Sequence, residues 1–220
     1  MDVTAIWLTL KLATATTVIL TLIGLPLAYS LAMSSWRGKF LVESVVALPL
    51  VLPPTVLGFY ILMATGPNSP LGRFYEQTTG LLLPFSFPGI LLGSVLYNMP
   101  FAVRPFTAAF AGMNRRLMEA SWCLGESRWR TFWRVTLPLC WPGVLTGIVL
   151  TFAHSVGEFG VVLMLGGNIP GVTRTISIAI YDDVQALNYA SASQTAFGLV
   201  VFSMVVLCAV HALGQRRLPL

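Results

Sequence analysis

Five long apolar stretches divide this chain of 220 residues, and short polar segments separate them. A helix needs about 20 predominantly apolar residues to cross the hydrocarbon core of a bilayer, and each stretch has that length. The pattern therefore predicts an all-α, polytopic membrane protein with one transmembrane domain, residues 1–220. The five predicted spans lie at about 6–33, 45–64, 88–112, 137–165 and 191–213.

Composition and charge support this prediction. Hydrophobic residues make up 56% of the chain and charged residues 10%, whereas soluble domains average about 25% charged residues. Nine basic residues fall on one set of predicted loops and two on the other. Because Lys and Arg accumulate in cytoplasmic loops, the N-terminus is predicted outside and the C-terminus inside. The positive charge follows the membrane topology, so no nucleic acid partner is expected.

The second predicted span is interrupted by proline. Pro53 and Pro54 lie in the stretch "ALPLVLPPTVLGFYILMAT" and remove backbone donors that a helix uses. One interpretation is an ordinary kinked helix. The other is a broken helix beside a translocation path, since interrupted backbone survives in membranes where protein or water surrounds it. On either interpretation the two prolines are structural or gating residues.

The segment 114–136 is charged and aromatic, although its surroundings are apolar. Gly125 stands where a left-handed residue would end a first short helix, and Ser127 can cap a second. Trp129 and Trp133 are four residues apart on one face of that second helix, with Phe132 beside them. Pro138 suits the first turn of the fourth span. The residues alone leave two alternatives, a helix lying on the membrane surface or a knob that docks into a partner.

The order of residues in this segment resembles the EAA motif of type I ABC importer permeases. Glu119-Ala120-Ser121 is followed by three residues, Gly125, nine residues and Val135-Thr136-Leu137-Pro138. Ser121 and Val135 stand where Ala and Ile are commoner. The resemblance implies the type I importer permease fold, in which this segment is a coupling helix seated on an ATPase subunit. The implied coupling residues are Glu119, Ala120, Ser121, Gly125, Ser127, Trp129, Phe132, Trp133, Leu137 and Pro138.

Two further stretches, "LPLVLPPTVLGFYIL" and "GEFGVVLMLGGNIPGVTRTISIAIYDDVQ", resemble the molybdate permease subunits, with sulfate permeases close behind. The resemblance implies a homodimer in a bacterial or archaeal cell membrane. Its implied partners are two ABC ATPase subunits on the cytoplasmic face and an extracytoplasmic oxyanion-binding protein. Alternating access would move molybdate; tungstate or sulfate is the alternative within the class.

An energy source has to come from elsewhere, because the sequence contains no G-x-x-x-x-G-K-[ST] phosphate-binding loop. We therefore expect a permease subunit that is not itself an enzyme and that uses no cofactor or metal. Two other classes stay open from the sequence: a secondary transporter that works alone, and a receptor-like membrane anchor.

Polar residues inside the predicted spans are candidates for the translocation path. They form stripes on the first and fourth spans, and neutral hydroxyls can donate to an oxyanion without trapping it. The alternative is that Ser and Thr bond back to their own helices. Arg104 either reaches towards water or attracts the anion. Glu158 is interpreted as a structural or gating residue, because a carboxylate repels a dianion. The path candidates are Thr14, Thr17, Thr21, Arg104, Thr151 and Ser155.

Overall fold

The computed structural model describes residues 2–215, with side chains through Cys208, and contains no strand in that range. The all-α prediction is confirmed for these residues. The elements are α1 (Val3–Met33), α2 (Lys39–Val51), α3 (Pro54–Thr65), α4 (Pro70–Thr79), α5 (Phe87–Ala111), α6 (Arg115–Cys123), α7 (Arg128–Thr131), a π-helical turn (Phe132–Thr136), α8 (Leu137–Val156), α9 (Gly160–Gly166), α10 (Ile176–Gln185) and α11 (Tyr189–Gln215).

Within the described residues, three helical segments are long and apolar enough to cross a membrane: Val3–Met33, Arg128–Val156 and Tyr189–Cys208. The pair α2 and α3 raises that number to four if it counts as one broken span. Helix α5 has 25 residues but is not among them. It carries two internal prolines and the polar residues Ser94, Asn98 and Arg104, which lower its hydropathy. The five-span count therefore stays a prediction.

The second predicted span is not a single helix. Helices α2 and α3 meet at an angle of 114° on either side of Leu52 and Pro53. Two consecutive prolines, Pro53 and Pro54, cannot supply the N–H groups that would continue the ladder of hydrogen bonds. Of the two sequence interpretations, the structure therefore agrees with a broken helix.

The fourth predicted span is shorter than expected at one end and longer at the other. Helix α8 ends at Val156, and α9 begins separately at Gly160, so the stretch 137–165 contains a second break. At its start, α7 and the π-helical turn run into α8 without interruption. The predicted positive charges at Arg216 and Arg217 lie outside the described residues.

The helices enclose two separate apolar cores. The first core includes Leu20, Phe106, Phe110 and Val144, and it lies next to the charged segment. The second core lies towards the other end of α1 and α5 and includes Leu12, Ile90, Val161 and Ile178. The two breaks, one before α3 and one before α9, place these short helices in the second core.

Candidate functional site

The charged segment begins with α6 and a glycine turn. The side chain of Asn114 caps α6 by accepting from the Arg116 N–H, at 3.1 Å. At the other end Gly125 has φ +85°, and its N–H donates to Trp122 O at 2.9 Å while the Glu126 N–H donates to Ser121 O at 3.2 Å. These bonds form a Schellman motif, which needs a left-handed residue. The predicted turn at Gly125 is confirmed.

The next helix is fixed by two hydroxyl contacts. The Ser127 side chain accepts from the Arg130 N–H at 3.3 Å, so the predicted cap is confirmed. The Ser121 and Thr131 hydroxyls lie 2.9 Å apart and are both buried, which ties α6 to α7. The neighbouring Ala120 is exposed. Ser121 is therefore a structural contact inside the segment rather than part of its outer surface.

The aromatic residues point in different directions. Trp129 and Trp133 are 70% and 50% exposed and meet edge to face, with ring centroids 5.6 Å apart. Phe132 faces the membrane bundle, where it packs against Tyr29 at 5.1 Å and Phe110 at 6.2 Å. The predicted position of Phe132 beside the tryptophans is confirmed, since its ring centroid lies 6.4 Å from that of Trp129 and 5.3 Å from that of Trp133. In the structure the two tryptophans are available to a partner, and Phe132 anchors the segment to the first core.

The charges of the segment pair with one another at its surface. Glu126 contacts Arg130 at 3.6 Å and Arg134 at 3.5 Å. Arg128 lies over the Trp122 ring, 5.7 Å from its centroid. Glu119 is exposed and has no ion-pair partner among the described residues. It is therefore the acidic side chain of this segment that is left for an outside partner.

The helices on either side of the predicted start of span four are continuous. The run Arg128–Val156 is one helical segment, and the Leu137 N–H bonds Phe132 O in the π-helical turn. Pro138 has no N–H to donate, and the π-helical turn ends two residues before it. The prediction of two short helices lying across the surface is therefore wrong for the second one, and Leu137 and Pro138 lie within a longer helix.

A groove of about 720 Å³ separates this segment from the end of α1. Its polar wall includes Arg115, Glu119 and Arg128, and its apolar wall includes Trp129 and Tyr29. We call residues 114–136 together with this groove the docking segment.

A second polar region lies at the far core, where α5 faces the break between α8 and α9. Glu158 is 4% exposed, and its Oε2 accepts from Ser94 Oγ at 2.7 Å and from Asn98 Nδ2 at 2.8 Å. Its Oε1 is buried without a hydrogen-bond partner among the described residues. Burial of a carboxyl group is costly unless hydrogen bonds compensate it, so this contact fixes the break against α5.

Asn98 connects Glu158 to an imidazole. Its Nδ2 donates to Glu158 and to Ser94 O, so its Oδ1 is the atom that faces His154 Nδ1, at 2.8 Å. Because an amide oxygen only accepts, His154 donates from Nδ1 in this arrangement. The His154 ring also stacks on Phe101, with centroids 3.7 Å apart. The ring is thus held on two sides.

A cavity of about 540 Å³ adjoins these residues. Its wall includes Pro54 and Thr55 from the start of α3, Tyr97 from α5, and His154 and Glu158. We call this the polar cavity. It lies between the two helix breaks, so Pro54 and Glu158, two of the three residues predicted as structural or gating, line the same cavity.

Glycines let the two broken helices approach each other. A Cβ at Gly160 would lie 2.8 Å from Pro54 Cβ, and one at Gly58 would lie 2.7 Å from Met164 Cβ. Contacts this short do not occur between real side chains, so a larger residue at either position would push α3 and α9 apart.

The predicted path residues are not gathered in the polar cavity. Thr17, Thr21 and Thr151 donate to carbonyls of their own helices. This agrees with the alternative that threonines in the spans bond back to the helix on which they lie. Thr14 is exposed. Ser155 is buried, and its hydroxyl has no partner among the described residues.

Arg104 lies in a different place again. It is exposed on α5 and lines a cleft of about 340 Å³ that also includes Glu43. The path assignments of these six residues stay predictions.

Sequence reasoning missed the α5 side of the polar cavity. Ser94 and Asn98 are separated by four residues and therefore share a helix face, which was a signal in the sequence. Nothing in the sequence pairs that face with Glu158, 60 residues later.

Comparisons with known proteins agree with one another. Residues 21–218 match the family described as "Binding-protein-dependent transport system inner membrane component". A molybdenum transport system permease protein of Azotobacter vinelandii is 50% identical over 212 residues, which cover 96% of this chain and 93% of that protein. Its counterpart in Escherichia coli K12 is 38% identical over 181 residues, 82% of this chain and 79% of that protein.

Solved structures share the fold at low sequence identity. A bacterial ABC transporter for the polysaccharide alginate superposes with a TM-score of 0.81 at 19% identity, covering 99% of this chain and 80% of that chain. The MetNI methionine ABC transporter superposes with a TM-score of 0.77 at 17% identity, covering 100% of this chain and 97% of that chain. Both are ABC transporters, and the superpositions show that this chain shares their fold.

Proposed function

Because the chain belongs to the family of binding-protein-dependent transport system inner membrane components, we propose that it is the permease subunit of an ATP-driven importer that carries molybdate. The substrate is proposed from relatives that are molybdenum transport permeases, one of them 50% identical to this chain. The observation that carries the coupling role is the docking segment. It exposes two tryptophans and Glu119, which has no ion-pair partner in the described part of the chain, beside the left-handed turn at Gly125.

The proposed assembly has two copies of this chain and two ATPase subunits, with an extracytoplasmic binding protein on the other side of the membrane. ATP hydrolysis belongs to the ATPase subunits. The orientation that suits this assembly puts the N-terminus outside and the docking segment in the cytoplasm, which agrees with the distribution of basic residues. Five spans per chain, including α5 and the broken pair α2 and α3, would complete the transmembrane domain.

Transport is proposed to follow alternating access. When ATP draws the ATPase subunits together, the two docking segments approach each other and the path opens outward; hydrolysis reverses the movement. In this scheme Trp129 and Trp133 seat in the ATPase and Phe132 passes the displacement to the first core, since it contacts both Tyr29 and Phe110. Glu158, Pro53 and Pro54 act as gating residues, because they lie at the two helix breaks.

The test is transport by the reconstituted assembly. Proteoliposomes containing the chain, its ATPase and its binding protein should accumulate molybdate only when ATP is supplied. Tungstate and sulfate are offered in parallel, and preferential uptake of either would reassign the substrate. Uptake by the chain without an ATPase would identify a secondary transporter instead. A complex in which no oxyanion is taken up or stimulates ATP hydrolysis would indicate an anchor.

A further inference from the structure

The polar cavity has a mixture of hydrogen-bonding groups that its own contacts do not use up. The hydroxyls of Thr55 and Tyr97 have no hydrogen-bond partner among the described residues, and each can donate. Glu158 Oε1 is buried without a partner in the same part of the chain. His154 lines the cavity and uses Nδ1 to reach Asn98, so Nε2 is its ring nitrogen without a hydrogen-bond partner among the described residues.

These groups fit a tetrahedral oxyanion only if one proton is added. An oxyanion offers nothing but acceptor oxygens, and the two hydroxyls can donate to it. The Nε2 of a neutral His154 is an acceptor, and the buried Glu158 Oε1 carries negative charge just behind the cavity wall, so both would oppose the ion. A single proton on either group makes the charge next to the ion one unit less negative, and on Nε2 it also provides a donor. Glu158 and His154 both hydrogen-bond Asn98, so the protonation of one affects that of the other, and we assign the proton to the pair rather than to one residue.

We propose that the polar cavity is a binding station for a tetrahedral oxyanion, which it holds together with one proton on the Glu158–His154 pair. The proposal rests on the proposed function and names a site for its substrate. The proton comes from water when the ion enters and returns to water when the ion leaves, and no covalent bond forms or breaks. At about 540 Å³ the cavity has room for the ion and several waters, each of which occupies about 30 Å³ in the liquid.

Ser94 and Asn98 act in this station as positioning residues. Asn98 Nδ2 is committed to Glu158 at 2.8 Å and to Ser94 O at 2.9 Å, which turns its Oδ1 towards the imidazole. The chain Glu158–Asn98–His154 therefore fixes the ring and leaves Nε2 without a hydrogen-bond partner among the described residues.

The titratable groups that face His154 are Tyr97 from α5, at 5.4 Å between ring centroids, and Glu158 through Asn98. From α3 the cavity wall contributes Pro54 and Thr55, which do not titrate.

The experiment is the pH dependence of molybdate uptake by the complete importer in proteoliposomes, with ATP and binding protein saturating. The test variant is the double substitution Glu158→Gln and His154→Gln, which puts neutral amide donors in both places. The same ATPase and binding protein are used throughout, so their own pH dependence cancels in the ratio of wild-type to variant rates. On the alkaline side this ratio should fall by about tenfold per pH unit, as expected for one proton taken up with the ion.

Thr146→Val is the control, because this exposed hydroxyl on α8 bonds only to Pro142 O of its own helix. Its profile should match the wild type. Membrane abundance and ATPase retention show that each variant is assembled. A constant ratio across the pH range would overturn the proposal, and so would an assembled double variant that is inactive at every pH. A wild-type complex that takes up no oxyanion at any pH would instead refute the proposed function.

Discussion

The docking segment and the polar cavity satisfy their polar groups in opposite ways. In the docking segment the caps and turns join residues within a few positions of one another, as at Gly125 and Ser127. Its ion pairs are formed by exposed arginines. In the polar cavity the contacts join residues about 60 positions apart, and Glu158 is almost completely buried.

Because of this difference, substitutions in the docking segment should affect partner binding, whereas substitutions in the polar cavity should affect folding stability. A change on the exposed side of the docking segment removes contacts that a partner would make, while the bundle keeps its own. A change in the polar cavity leaves a buried donor or acceptor without a partner, which costs the free energy of folding directly. Substitutions in the two regions should therefore affect different measurements, and the following predictions test that separation.

The largest effect is expected for Gly125→Val. A left-handed conformation costs a non-glycine residue roughly 1–2 kcal/mol, and more when it is β-branched, so the turn at φ +85° should be lost. The variant should insert normally, but it should lose the ATPase on co-purification and lose uptake. Gly80→Val is a matched control, since Gly80 also has positive φ (+70°) and, like Gly125, open space around its Cβ position. Full ATPase retention and normal uptake in Gly125→Val would show that the segment does not couple.

Glu158→Ala should reduce stability by about 1–3 kcal/mol, because Ser94 and Asn98 lose a buried acceptor. The measurement is the thermal unfolding midpoint of the purified chain in detergent. Glu119→Ala is the matched control, because the Glu119 carboxylate is exposed. In this variant the unfolding midpoint should not change, and only the amount of ATPase retained should fall. Equal midpoints for Glu158→Ala and the wild type would mean that the buried contact contributes little to folding.

Trp129→Ala should weaken the ATPase interaction by about 2 kcal/mol, or roughly thirtyfold in affinity, as expected for an aromatic anchor at an interface. Stability of the isolated chain should change little, because the ring is 70% exposed. Trp7→Ala is the control, since Trp7 is also 70% exposed but lies at the other end of α1. Titration of the ATPase onto immobilised permease gives both affinities, and an equal loss in the two variants would argue against a specific anchor.

The smallest effect is expected for Glu126→Gln. Its two ion pairs are formed with arginine side chains that are 66% and 72% exposed, and exposed pairs of this kind contribute about 0–1 kcal/mol. The unfolding midpoint should move little, and less at high salt. A loss as large as that of Glu158→Ala would mean that the docking segment depends on its charges for folding.

The comparison also explains what could be predicted from the sequence. The turn at Gly125 and the cap at Ser127 depend on neighbours a few residues away, so local chemistry was sufficient. The contact of Phe132 with Tyr29, about a hundred positions earlier, could not be predicted from the neighbouring residues. The apolar stretches revealed the helices but not the break before α9, because "GEFG" is short and both flanks are apolar. The contact of Asn98 with Glu158 had no local signal at all.

The uninterrupted helix from Arg128 to Val156 gives the two regions a common mechanical element. It has 29 residues, or about 43 Å at about 1.5 Å per residue. Trp129 and Trp133 stand near one end of it, and His154 stands near the other. If such a rod pivots at its midpoint, each degree of tilt moves its ends by roughly 0.4 Å in opposite directions. The π-helical turn contains Trp133 and separates Trp129 from the rest of the rod, so its stiffness sets how much of a displacement at the docking segment arrives at the imidazole.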